Sequence, residues 1–142
     1  MSCYVSGALI ALFGLGKVLF ENPLNKVAGA FLIGAGASLF GVGTFTMHTI
    51  ELHNLSAGLF AATTAAGIAL ATISDIIEGE RMMLIAGMVI GAVCLFTVFL
   101  EPQNTSEFVT VFCAAVWAMF EMVKYARRGM FSSAAEEGTS SA

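Results

Sequence analysis

A chain of 142 residues that is 58% hydrophobic and 11% charged has less than half the roughly 25% charge of a soluble domain, which excludes an ordinary water-exposed fold. Its net charge of −4 supplies no basic patch, so nucleic-acid binding is excluded as well. This length suits one domain, read as a transmembrane unit over 1–128 and a disordered cytoplasmic tail over 129–142, where Ser, Ala, Glu, Gly and Thr predominate.

Five apolar stretches follow in order: 2–20, 27–47, 54–77, 82–100 and 107–125. Each is close to the roughly 20 residues a helix needs to cross about 30 Å of hydrocarbon. The first ends at Glu21-Asn22-Pro23, a turn, because proline lacks an N–H and restricts the residue before it. Lys17 and Lys26 flank that turn, with stems long enough to reach lipid head groups. No cleavable signal is expected, since Lys17 follows the first apolar core instead of preceding it. The second stretch is rich in glycine, a residue common in membrane helices. It leads to an outer hinge holding both histidines, His48 and His53, with Glu51 between them. Asn54 or Ser56 is placed to cap the third helix.

That third helix carries Ala57, Ala61, Ala65 and Ala69 at a spacing of four and closes at Asp75, Glu78 and Gly79. Arg81 opens the fourth, in which Gly87 and Gly91 form a small-xxx-small pair suited to close helix contact. The pair serves packing within the chain or contact with a membrane-protein partner or second copy. A second outer hinge, 101–106, precedes the fifth helix, where Thr105 or Ser106 can cap and Glu107 sits at the positive N-terminal end. Trp117 falls at mid-depth, as a packing residue whose N–H needs a partner. Cys3, Cys94 and Cys113 show no metal-binding or redox spacing and read as small hydrophobes.

Laid up and down across a bilayer, these stretches send Lys17, Lys26, Arg81, Lys124, Arg127 and Arg128 to one face and no Lys or Arg to the other. The basic face is then cytoplasmic, with the N-terminus outside and the C-terminus inside. The expected fold is all-α, an integral bundle of five transmembrane helices in the cell membrane, with the lipid bilayer as its first partner.

Chemistry-bearing residues are few. His48, Glu51, His53 and Glu107 gather on the outer face with nitrogen and oxygen donors suited to a divalent metal. The same residues read equally as solvated loop side chains, and no cofactor is required. Asp75 and Glu121 lie close to the inner interface, where water reaches, and Glu121 can pair with Lys124 or Tyr125 one helical turn away.

Three short motifs carry a resemblance. Asn25-Lys26-Val27-Ala28-Gly29 opens a glycine-rich helix that ends in Gly41-Val42-Gly43-Thr44-Phe45; Leu52-His53-Asn54 precedes a long apolar helix; Glu107 and Trp117 are followed by Tyr125 and Arg127. With these the chain resembles a family of uncharacterised prokaryotic membrane proteins, common in archaea, known as domain of unknown function 998. The resemblance implies a six-helix pattern shortened here by its first helix and the polar outer loop after it. It implies no activity, but it raises His53 and Glu107 above the other outer polar residues. The function expected is that of a structural or interaction component of the membrane, with a small-solute or ion carrier and a metal-dependent membrane enzyme as alternatives.

Overall fold

The computed structural model describes the backbone of residues 2–45, 49–100 and 103–140 and the side chains of 3–45, 49–93, 96 and 109–128. Five helices make up the described residues, with no strand among them: α1 (Ser2–Phe20), α2 (Pro23–Thr44), α3 (Ile50–Glu78), α4 (Arg81–Leu100) and α5 (Gln103–Ser140). Local chemistry sets several of their ends. Asn22 caps α2 by accepting from the Asn25 N–H at 2.9 Å, and Pro23 occupies the first turn, where its missing N–H costs nothing. Helix α2 therefore begins four residues before the apolar stretch does. Gly79 ends α3 in the left-handed conformation, φ 79°, which glycine adopts without a Cβ penalty. Helix α3 starts at Ile50 with Thr49 as its N-cap, so Glu51, His53, Asn54 and Ser56 all lie on the helix. The expected caps are thus corrected: Ser56 is buried in the bundle instead. Helix α5 is helical in backbone through the segment that composition marks as a tail.

Four segments are long and apolar enough to cross a membrane: Cys3–Phe20, Pro23–Thr44, Ile50–Glu78 and Val109–Arg128. Helix α4 has 20 residues, of which the described apolar part is Arg81–Val93. The outer surface of the bundle is hydrocarbon. Leu9, Leu12, Leu19, Ile85, Phe96 and Phe112 are each more than half exposed, a coverage that fits lipid and not water.

The helices pack in sequence as a meander, α1 on α2, α2 on α3, α3 on α4 and α4 on α5, and α5 returns to touch α3. Glycines bring α1 and α2 into backbone contact, Gly7 against Gly36 and Gly14 against Gly29. The main core joins Ala28, Leu32, Ile68, Ala71, Ile90, Cys113 and Trp117. Trp117 meets Phe13 edge to face at 5.8 Å, so it is a packing residue as its position suggested.

Two small-residue patterns behave differently from expectation. Of the alanines spaced by four on α3, Ala57 is buried but Ala65 and Ala69 are exposed. A step of four residues overshoots a full turn by about 40°, so three steps carry the row about 120° around the helix. The buried stripe runs instead through Phe60, Thr64, Gly67, Ile68, Ala71, Ser74 and Asp75. On α4, Gly87 is buried against the Thr72 side chain of α3, whereas among the described residues nothing lies within 4 Å of a Cβ placed on Gly91. Gly87 is therefore used in the chain's own packing, and the two glycines do not act as one seam.

Candidate functional site

The outer His/Glu set is only partly within the described residues. His48 lies outside them, and so does the side chain of Glu107, although its backbone is on α5. Glu51 is exposed in the first turn of α3. His53 is part-buried with Nδ1 3.0 Å from the Phe45 carbonyl oxygen. A carbonyl only accepts, so Nδ1 carries the proton in that bond and the ring ties α3 to the end of α2. Among the described residues no group of three or more His, Cys, Asp or Glu could hold a metal ion. His53→Ala removes at least this bond, and an expected loss of about 1 kcal/mol should appear as a lower melting temperature in detergent.

The chemistry collects at the other end. Lys17 of α1, Asp75 of α3, and Glu121 and Lys124 of α5 are all buried. They form one alternating chain of charge. Lys124 Nζ is 2.7 Å from Asp75 Oδ1 and 2.9 Å from Glu121 Oε2, and Lys17 Nζ reaches that same Glu121 oxygen at 3.0 Å. Two cations face two anions, so these four groups balance in charge.

Neutral groups and a further carboxylate, that of Glu21, complete it. Lys17 also donates to Tyr125 Oη at 3.1 Å and to Asn25 Oδ1 at 3.4 Å, which uses all three ammonium hydrogens. Asn25, fully buried at the start of α2, donates to Ser74 Oγ of α3 and Glu21 Oε2, both at 3.0 Å. Asn22 donates to the same Ser74 oxygen at 2.9 Å. The rings of Phe13, Trp117 and Tyr125 surround the Lys17 ammonium with centroids 5.6–5.7 Å away, a favourable setting for a desolvated cation. Farther out, Arg128 pairs with Glu78 and, at 3.2 Å, with Glu80. Those groups are partly exposed and contribute little by comparison.

This corrects the reading of Lys17 as a residue reaching for head groups and of Asp75 and Glu121 as interfacial groups bathed by water. All three turn inward. Each stands where the helical period extends a buried stripe, Lys17 after Gly7 and Gly14, Asp75 after Ile68 and Ala71, Glu121 after Ala114 and Trp117. The pairing of Glu121 with Lys124 one turn on is as the sequence suggested. The cluster also gathers the basic end of the bundle. Lys17, Lys124 and Arg128 belong to it or touch it, and Lys26, Arg81 and Arg127 are chain neighbours of its members Asn25, Glu80 and Arg128.

Within a low-dielectric bundle such a set locks three helices in one register. Desolvation offsets much of the Coulomb attraction, so its strength lies in specifying the arrangement and in the penalty for any change that leaves one charge unmatched. Comparison of the chain with protein-family models, with curated proteins and with solved structures finds no match.

Proposed function

We propose that this protein is an integral, non-catalytic component of the cell membrane that crosses five times, α4 included, with its N-terminus outside and its C-terminus in the cytoplasm. Its role on this reading is structural or interactive. The observation that supports it most directly is the buried, charge-balanced cluster of Lys17, Asp75, Glu121 and Lys124. It spends the ionisable side chains on holding helices together at one end, the end that also has the basic residues. The positive-inside rule makes that end cytoplasmic. The resemblance to domain of unknown function 998 belongs to the same proposal. So does contact with a partner or second copy at the open side of Gly91, which crosslinking of a Gly91→Cys variant would report.

Labelling with a membrane-impermeant maleimide tests the topology. With Cys3, Cys94 and Cys113 changed to Ala, a cysteine replacing Glu51 should react in intact cells, and one replacing Ser140 only after permeabilisation. Reaction of both in intact cells sinks the odd number of crossings.

A second reading, a small-solute or ion carrier, draws on two buried carboxylate oxygens that have no hydrogen-bond partner among the described residues, Asp75 Oδ2 and Glu121 Oε1. On that reading the cluster is an inner gate, and cation or proton flux into proteoliposomes should change with Glu121→Gln. A metal-dependent membrane enzyme with His48, Glu51, His53 and Glu107 facing outward is the third. Metal analysis of the purified protein beside His53→Ala decides it, since no bound metal in either ends that reading.

A further inference from the structure

The buried charge cluster contains two oxygens that its hydrogen bonds leave unused. Asp75 Oδ2 and Glu121 Oε1 have no partner among the described residues, and both side chains are fully buried. Buried polar atoms in folded proteins are almost all paired, and a charged group is the costliest kind to leave without a partner. The charges point the same way. With Glu21, which accepts from Asn25 at 3.0 Å, the cluster sets three carboxylates against the two ammoniums of Lys17 and Lys124. It is one positive charge short.

No ligand of ordinary size can supply that charge, because neither bare oxygen has surface open to a cavity. A proton can. It needs no volume, and it is handed along polar side chains. A series of them leads inward from Glu21, half-buried at the turn after α1. The Tyr125 hydroxyl interacts with both Glu21 and Glu121, and Lys124 bridges Glu121 to Asp75.

Of the two carboxyl groups, Asp75 is the better host. Glu121 Oε2 lies on both ammoniums, at 3.0 and 2.9 Å, whereas Asp75 is paired with Lys124 alone among the described ion pairs. An anion facing two cations keeps its charge more firmly than one facing a single cation. Two carboxylates on one ammonium also repel each other, and a proton on Asp75 removes that repulsion. Lys124 occupies Oδ1 and leaves Oδ2 free, so an O–H bond can form there without parting α3 from α5. The groups around Asp75 are Lys17 from α1 and Glu121 and Lys124 from α5. Farther out, Glu78 and Glu80 are engaged with Arg128. Helix α2 brings the neutral Asn25, with Lys26 exposed, and Arg81 at the start of α4 is exposed as well.

We propose that Asp75 is a reversible proton-binding site, loaded at Oδ2 from water at the inner end of the bundle. Hydronium gives up a proton and leaves as water, Oδ2 forms the O–H bond, and no electron is transferred. Loading turns the ion pair with Lys124 into a hydrogen bond from an ammonium to a neutral carboxyl, and it balances the cluster with Glu21 ionised. Release in alkali restores the four charges of Lys17, Asp75, Glu121 and Lys124. The site stands whether or not the protein carries a solute. With the topology proposed above, loading follows the pH of the cytoplasm.

Asp75 is the only aspartate of the chain, so aspartate isotope-labelled at its side-chain carboxyl carbon, introduced by cell-free synthesis, reports on this site alone. The full chain in phosphatidylcholine nanodiscs is followed by infrared spectroscopy as the pH is changed. At about pH 5.5 an exposed aspartate, with its ordinary pKa of about 3.9, is almost wholly ionised. The labelled group is expected to show the carbonyl band of a carboxylic acid there, and to convert reversibly to carboxylate bands as the buffer is made alkaline. Glu121→Gln removes the repelling anion and frees both ammoniums for Asp75, so the conversion should move to lower pH by about one to three units. Circular dichroism checks that this variant is helical, and the unaltered chain gives its reading without any variant. Carboxylate bands alone at about pH 5.5 in the unaltered chain overturn the proposal. So does an acid band that persists into alkali, which would show a trapped proton, or a conversion that a folded Glu121→Gln variant leaves in place. Maleimide labelling scores separately which compartment the inner end faces, so a failed topology and a failed proton site give different results.

Discussion

Lys124→Met should cost the bundle about 3–5 kcal/mol, the range found when one partner of a buried ion pair is removed. Lys124 is the middle of the charge chain, bonded to Asp75 at 2.7 Å and to Glu121 at 2.9 Å. Without it two carboxylates share one ammonium, that of Lys17, and Asp75 loses the only cation that touches it among the described ion pairs. The bonds around α3 and α5 cannot rearrange to fill the gap, because all three ammonium hydrogens of Lys17 are already used. Thermal melting in detergent should fall steeply, or the folded yield should collapse. A second change then restores balance. Asp75→Asn in the Lys124→Met background leaves Lys17 against Glu121, one charge of each sign, and should recover most of the loss. A double-mutant cycle reads this as a coupling far above the few tenths of a kcal/mol expected of independent sites. If both single changes cost less than about 1 kcal/mol, the cluster behaves as an exposed pair would, and the account of a desolvated lock is wrong.

The same cluster shows how much of the molecule can be read from the chain. The helices themselves are legible because apolar runs near 20 residues have one common structural meaning. Their turns are legible where chemistry is local, as at Asn22-Pro23 and at Gly79. For Lys17, Asp75 and Glu121 the sequence indicates a shared end of the helices but not the buried environment they occupy. Distance from a helix end says only how deep a residue lies. Whether it faces lipid, water or a neighbour depends on its angle around the helix. That angle was available: Thr110, Ala114, Trp117, Glu121 and Lys124 alternate steps of four and three and are all buried, so a stripe of packing residues runs straight into the charges. What no single helix contains is the partner. Asp75 and Lys124 are 49 residues apart and Lys17 and Glu121 are 104 apart, and only the meander that folds α5 back onto α3 brings them together. Likewise the outer set rested on two hinges meeting, whereas Glu51 and His53 belong to the first turn of α3 and His53 is engaged with Phe45.

Gly14→Val should be the most damaging apolar substitution in α1, by about 3 kcal/mol or more, while Gly16→Ala two residues away should be neutral or better. The difference is geometric. A Cβ on Gly14 would lie 2.6 Å from the Gly29 carbonyl oxygen, which is backbone and cannot turn aside. Helices α1 and α2 would have to separate, and overpacking of a tight contact costs typically 1–3 kcal/mol even where side chains can yield. Gly7 and Gly14 are seven residues apart, and so are their partners Gly36 and Gly29. A repeat of seven keeps one face of each helix turned to the other, as in a supercoiled pair. In lipid, where apolar burial gives no net drive to associate, this close approach is itself the source of attraction. Losing it at Gly14 should loosen Gly7 as well, because the same two rigid helices carry both contacts, and the Tyr4 hydroxyl bonded at 3.0 Å to the Gly43 carbonyl lies on that seam too. Among the described residues nothing lies within 4 Å of the would-be Cβ of Gly16, so alanine there meets no obstacle and gains up to about 1 kcal/mol of helix preference. Melting temperatures of the two variants in one detergent settle the matter: equal values would mean that α1 and α2 are not held by their glycines.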